Sequence, residues 1–441
     1  MRQTFVLALP LIIGQISNVG MSFIDTLMAG RLSADALAAV AIGGTLWNSL
    51  TLFLIGTLLA VPAIISQLDG AGRRGRMGKV VRQALWLATF IGVAITVVLH
   101  PMAPLLGLVG LTPSVLSQAV EYVHAISWGA PGMGIYLVLR YFSDGLGLTR
   151  LTMYLGVAGM LLNIPADYLF MFGGLGIPAM GAKGTGYATA LVLTCQALAV
   201  VLVVWRGKNY AQIGVFSRFE SPSWGRIRQI CRVGLPVGAA IFVESSMFVV
   251  STLLMGSLGT MALAGHQIAL NFSALLFMVP LALGMAITVR VGNAMGRGDA
   301  IQARQRGIAG LLLVLGTQVL SATIIWLFPH QITALYTQDV QVSAIAITLL
   351  FYSAIFQLSD GIQVAAAGAL RGLKDTAVPM MMMIAAYWVV GIPLCYYLGI
   401  TSGQGGAGVW IGLIAGLSVA AVALTIRFFQ LTKLPAGNAV T

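Results

Sequence analysis

The sequence predicts an all-α polytopic membrane protein: twelve transmembrane helices in two six-helix bundles related by a parallel pseudo-twofold repeat. Three observations predict it. First, the 441-residue chain is 59% hydrophobic and 8% charged, against roughly 25% charged residues in an average soluble domain. Second, its apolar runs reach the roughly 20 residues that a helix needs to cross hydrocarbon. Third, Lys and Arg fall on alternate connections: of 24, only Arg31 and Lys183 lie on what the positive-inside rule then makes the outer face. Both chain ends are therefore expected in the cytoplasm. The same distribution accounts for the net charge of +12 by membrane orientation, so nucleic acid is not an expected partner.

Spans are expected near 6–30, 36–66, 80–100, 119–146, 151–173, 184–205, 230–256, 262–290, 305–328, 343–370, 376–399 and 406–430. The first is longer than a signal-peptide core and contains Asp25, so it reads as a retained span rather than a cleaved leader. Asn18 and Ser22 stand seven and three residues before Asp25, which puts all three on one helical face, with Gly14 a turn further back. The fourth span ends on Asp144, four residues from Arg140, a spacing that suits a local ion pair, and His124 reads as a packing residue or a proton relay. In the fifth, Asn163 and Asp167 share a face, while Pro165 removes a backbone donor and frees the carbonyl of Leu161. Thr189 in the sixth would add a hydroxyl.

The second half echoes the first at offsets of 222 to 226 residues. Leu9-Pro10 returns as Leu235-Pro236, and Gly181, Gly184 and Gly186 return as Gly403, Gly406 and Gly408. Six spans per half insert both copies in the same orientation, which implies two bundles about a central cleft. The expected domains are an N-terminal lobe (1–205), a cytoplasmic linker (206–229) that is either a passive tether or a moving part, a C-terminal lobe (230–430) and a cytoplasmic tail (431–441). Glu244 lies mid-span in the seventh helix, with Ser251 two turns on. His266 and Asn271 decorate the eighth. Asp360 continues a stripe of Ser353, Gln357 and Gln363 in the tenth, with Phe356 one turn before it. Met380 to Met383 and Tyr387-Trp388 in the eleventh read as bundle core, lipid contact or an adaptable cavity lining.

Only twelve acids occur in the chain, and Asp25, Asp167, Glu244 and Asp360 sit inside apolar stretches. An ionised group in hydrocarbon costs ~3 kcal/mol or more, so it persists where it pairs, protonates, binds a cation or faces water. Carboxylates, an amide and a freed carbonyl are hard oxygen donors suited to H⁺ or Na⁺. Asp25, Asn163, Asp167 and Thr189 thus form either a cation site or a hydrogen-bonded helix contact, and Glu244 with Asp360 either a coupling site or structural hydrogen bonds. Asn18, Phe356, Gln357, His266 and Asn271 are candidate cavity-lining residues. No Walker A motif, Ser/His/Asp set or metalloprotease helix occurs, so no enzyme activity and no cofactor are expected, and energy is expected from an H⁺ or Na⁺ gradient. Cys195, Cys231 and Cys395 are odd in number and have no metal spacing.

The chain resembles the multidrug and toxic compound extrusion (MATE) family, in its NorM-like bacterial branch. The resemblance rests on Gly20-Met-Ser-Phe-Ile-Asp-Thr-Leu-Met-Ala-Gly30, Leu162-Asn-Ile-Pro-Ala-Asp167, Phe242-Val-Glu-Ser245, Ala264-Gly-His-Gln-Ile-Ala-Leu-Asn-Phe272 and Gln357-Leu-Ser-Asp-Gly-Ile-Gln-Val364. It implies two six-helix lobes with a V-shaped central cleft, and export of bulky, often cationic organic compounds in exchange for inward H⁺ or Na⁺. It also implies that Asp25, Asn163, Asp167 and Thr189 bind the coupling ion in the first lobe, with Glu244 and Asp360 as the acids of the second. Some relatives carry Tyr where Phe356 stands and Asn where Asp167 stands, which leaves both ions open. A monomer in a bacterial inner membrane is expected, with lipid and organic cations as partners. The alternatives are a flippase for lipid-linked precursors, which would need cationic side chains in the cleft, and a passive channel.

Overall fold

In the computed structural model, which describes residues 1–174 and 176–433, the described residues are overwhelmingly helical and hold no β-pairing beyond one bridge between Gly174 and Ile177. The chain begins with α1 (Arg2–Leu32), α2 (Ala34–Leu58), α3 (Ala60–Gly70) and α4 (Arg74–Met102). Next come α5 (Pro113–Ser127), α6 (Ala130–Gly145), α7 (Arg150–Phe172), α8 (Ala182–Arg206) and the single turn α9 (Lys208–Ala211). The second half runs through α10 (Trp224–Ser257), α11 (Thr260–Gly296), α12 (Ala300–Leu327), α13 (Pro329–Ala334) and α14 (Val340–Gly372). It ends with α15 (Ala377–Ile384), α16 (Ile392–Tyr396) and α17 (Gly405–Leu431). Of the expected tail, residues 434–441 lie outside the described residues.

Eleven stretches among the described residues are long and apolar enough to cross a membrane. The expected fourth span is delivered in two pieces, α5 and α6, with Trp128 and Gly129 between them. Pro131 has no N–H for the carbonyl of Ser127 four residues back. That carbonyl instead accepts Thr96 Oγ1 of α4 at 2.7 Å. At Gly129 a Cβ would lie 2.9 Å from Ala190 Cα, so the break also lets α8 come close. The expected eleventh span is interrupted too: two π-helical turns, Ala385–Gly391 and Tyr397–Thr401, flank α16. The expected second span divides at Leu59 into α2 and α3, three residues before Pro62.

The chain forms two compact units. One is Pro10–Gly238, in which α8 packs on α5, α6 and α7, and α4 packs on α6. Its linker is laced to the bundle rather than loose: Tyr210 is buried and donates its hydroxyl to Ser143 Oγ at 3.0 Å. The other unit joins Met1–Leu9 to the residues from Ala239 onward, with α14 as its hub against α11, α12 and α17. Arg290 of α11 holds the start of the chain here, donating to Thr4 Oγ1 and, at 3.2 Å, to Gln3 Oε1. The repeat is visible in backbone geometry. Gly181 before α8 and Gly403 before α17 have φ of 62° and 72°, a region a side chain would strain.

Candidate functional site

In the Pro10–Gly238 unit, small residues draw α1, α7 and α8 together. A Cβ on Gly156 of α7 would lie 3.1 Å from Gly14 Cα of α1, and Gly159 faces Gln196, which donates Nε2 to Leu155 O at 2.9 Å. Apolar packing of Met21, Ala166, Ala188 and Val192 completes the contact. This packing brings Asp25, Asn163, Asp167 and Thr189 into one buried cluster. Asn163 Nδ2 donates to Asp25 Oδ1 at 2.6 Å and to Asp167 Oδ2 at 2.8 Å. Thr189 Oγ1 donates to Asp25 Oδ2 at 3.2 Å.

Two oxygens of the cluster, Asn163 Oδ1 and Asp167 Oδ1, are buried with no hydrogen-bond partner. An unpaired buried acceptor costs ~1–3 kcal/mol. Two carboxylates gathered on one amide also repel if both are ionised. Both liabilities are relieved by one added positive species, a proton or a hard cation, coordinated by oxygen. Tyr122 of α5, itself buried, is a charge neighbour of both Asp25 and Asp167. Sequence reasoning missed it. It reaches the site because a Cβ at Gly43 of α2 would meet its ring at 2.6 Å, a fit that no local pattern announces.

The second unit carries its own acid cluster. Asp360 of α14 is buried, Glu244 of α10 is half-buried, and the two are charge neighbours. Gln363 and Arg371, also on α14, lie beside Glu244. Tyr387, on the first π-helical turn, is fully buried and is a charge neighbour of both acids. Asp360 Oδ1, Gln363 Oε1 and the Tyr387 hydroxyl have no hydrogen-bond partner. As in the other unit, buried polar atoms are left without a partner. The sequence placed Gln363 on the stripe of Asp360. It read Tyr387 as core, lipid contact or cavity lining and Arg371 as an orienting charge, because their approach to Glu244 depends on helix packing.

Of the other candidates, Phe356 and His266 are buried in an aromatic core. Phe356 lies edge-on to Phe248 and Trp410, with centroids 6.0 and 5.6 Å away. His266 Nδ1 accepts Trp410 Nε1 at 3.2 Å, and its Nε2 is 3.3 Å from Thr252 Oγ1. Gln357 is buried, accepting Gln318 Nε2 at 2.9 Å and donating to Ser273 O at 3.2 Å. Asn18 is 3.4 Å from Gln15 Oε1, and Asn271 is exposed on its unit. Arg140 and Asp144 form a buried i,i+4 ion pair at 3.8 Å, outside both acid clusters.

The family model MatE matches residues 10–169 and again 236–397, once in each half. Multidrug resistance protein PmpM of Pseudomonas aeruginosa is 44% identical, across 97% of this chain and 91% of that one. A Xanthomonas campestris protein named "Probable multidrug resistance protein NorM" is 43% identical, across 99% and 96%. Multidrug resistance protein MdtK of Yersinia pseudotuberculosis is 39% identical, across 98% and 96%. Among solved structures, an outward-facing multidrug resistance MATE family transporter of the MOP superfamily superposes with a TM-score of 0.90 over 98% of this chain and 95% of that one. Its identity is 22%, so that likeness concerns the fold alone.

Proposed function

Since the chain belongs to the MatE family, we propose that it is a secondary active multidrug efflux antiporter, exporting bulky, often cationic organic compounds in exchange for inward H⁺ or Na⁺. It is not an enzyme. It works as a monomer in a bacterial inner membrane, with both ends on the cytoplasmic side. The observation that carries the coupling mechanism is the pair Asp25 and Asp167 held on the single amide nitrogen of Asn163, with two buried oxygens left unpartnered.

In this mechanism an entering cation takes a place among Asp25, Asn163, Asp167 and Thr189, and the Glu244 and Asp360 cluster is the second place where positive charge is gained or lost. Occupancy shifts the conformational balance only in proportion to the difference in affinity between the two conformations. A burial-dependent carboxylate site supplies that difference, because the strength of its charge interactions depends on how much water reaches it. Exchange follows if the organic cation and the coupling ion favour opposite conformations.

The test is efflux from proteoliposomes with pH and Na⁺ gradients imposed separately. Uphill, saturable drug movement driven by at least one inward gradient is expected. Drug movement that only runs downhill and ignores both gradients would overturn the antiport mechanism.

A further inference from the structure

The segment between α9 and α10 makes an unusual set of contacts with α4. Arg82 donates to Gly214 O at 2.8 Å, to Val215 O at 3.0 Å and to Glu220 Oε1 at 2.9 Å. Gln83 donates to Ser221 O at 3.0 Å and accepts Ser223 N at 2.7 Å. Trp86 Nε1 donates to Glu220 O at 2.9 Å. Five backbone groups of the segment are thus satisfied by side chains of one helix. Trp86 lies six residues beyond position 80, the expected start of the third span, about 9 Å along a helix. Irregular backbone beside a membrane span is tolerated where protein groups replace water as partners.

The outward side of the segment has the composition of a membrane interface. Phe219 is 83% exposed and Trp224 is 78% exposed, although both are large and apolar. Phe219 stands edge-on to Trp86 at 5.9 Å, and Phe90, one turn further along α4, is 75% exposed. Arg218 and Arg228 are exposed among them. Aromatic rings with one wet edge settle at the headgroup level, and arginines beside them attract anionic headgroups.

We propose that residues 214–224 form a strap on the lipid-facing side of α4, where Phe219 and Trp224 enter the interface and Arg218 and Arg228 dock anionic phospholipid. Lipid docking here is independent of the ion that drives transport, and nothing in the coupling chemistry requires it. The choice of an anionic lipid over a protein partner rests on charge complementarity together with apolar surface in a chain already embedded in a bilayer.

The whole chain is reconstituted in phosphatidylcholine vesicles containing dibrominated phosphatidylglycerol or, separately, dibrominated phosphatidylcholine. Trp224 emission is isolated as the difference from a Trp224→Phe chain. Bromine quenching is expected from both lipids and at lower mole fraction from phosphatidylglycerol. In a chain carrying Arg218→Gln and Arg228→Gln, that preference is expected to fall about fivefold for each arginine removed. Quenching by phosphatidylcholine stays unchanged there and shows the strap still in place. Equal quenching of the native chain by the two lipids overturns the proposal. So does quenching by neither, as a water-exposed or protein-covered segment would give, and so does a preference that survives the loss of both arginines.

Discussion

Asn163 Nδ2 lies 2.6 Å from Asp25 Oδ1, joining α7 to α1 across 138 residues of sequence. The same nitrogen reaches Asp167 at 2.8 Å. Replacing Asn163 with Ala removes the donor that both carboxylates share. A hydrogen bond to a charged group is worth roughly 1.5–3 kcal/mol, so a loss of about 2 kcal/mol in thermal unfolding in detergent is expected, together with loss of ion-driven efflux. Full activity in Asn163→Ala would show that the shared amide is dispensable.

Tyr387→Phe separates site chemistry from stability. The hydroxyl has no hydrogen-bond partner, so its removal leaves nothing unpaired and is expected to change stability by less than about 1 kcal/mol. Because Tyr387 neighbours both Glu244 and Asp360, the ion concentration giving half-maximal efflux is expected to move. An unchanged ion dependence would assign the tyrosine to packing alone.

His266 is expected to behave in the opposite way. Its Nδ1 accepts Trp410 Nε1, so the ring proton sits on Nε2, facing Thr252. His266→Ala orphans the indole N–H and opens a void, at about 3 kcal/mol. Efflux per folded molecule is expected to keep its dependence on pH and Na⁺. A shifted pH profile in stably folded His266→Ala would place the imidazole in the transport path.

Acid is expected to loosen the strap on α4. Hydrogen bonding from Arg82 and the nearby Arg226 hold the Glu220 carboxyl below its ordinary value of 4.5. A carboxyl lowered in the folded state contributes stability that is complete above the ordinary value and is lost as pH falls through the lowered one. Trp86 emission, taken as the difference from Trp86→Phe, is therefore expected to stay constant from neutral pH down to about that ordinary value and to change below it. In Glu220→Gln the acid change is expected to vanish. An acid transition of the same size in that variant would assign it to another group.

Much of this fold was legible because hydrocarbon imposes a length on each apolar run. The break between α5 and α6 was not: Gly129 and Pro131 were visible, but the carbonyl of Ser127 tolerates the lost bond only because Thr96 of a neighbouring helix accepts the role of donor. The first-unit cluster was readable where spacing within one helix decides, as for Asn163 and Asp167, and where a polar residue interrupts an apolar run, as for Asp25. Tyr122 was not readable, since its approach depends on a glycine in another helix. Arg82 was hidden for a different reason: near a helix end, a basic residue reads first as topology. Its lacing to the linker is a matter of three dimensions.

The most direct measurement counts the coupling ion itself. Proteoliposomes loaded with an organic cation are followed for drug leaving and for H⁺ or Na⁺ entering, in the native chain and in Asp25→Asn and Asp360→Asn. Native vesicles are expected to show ion entry that stops when drug is omitted, and each variant is expected to lose both movements while remaining folded in the membrane. Drug-dependent ion entry at the native rate in both variants would contradict the carboxylate mechanism.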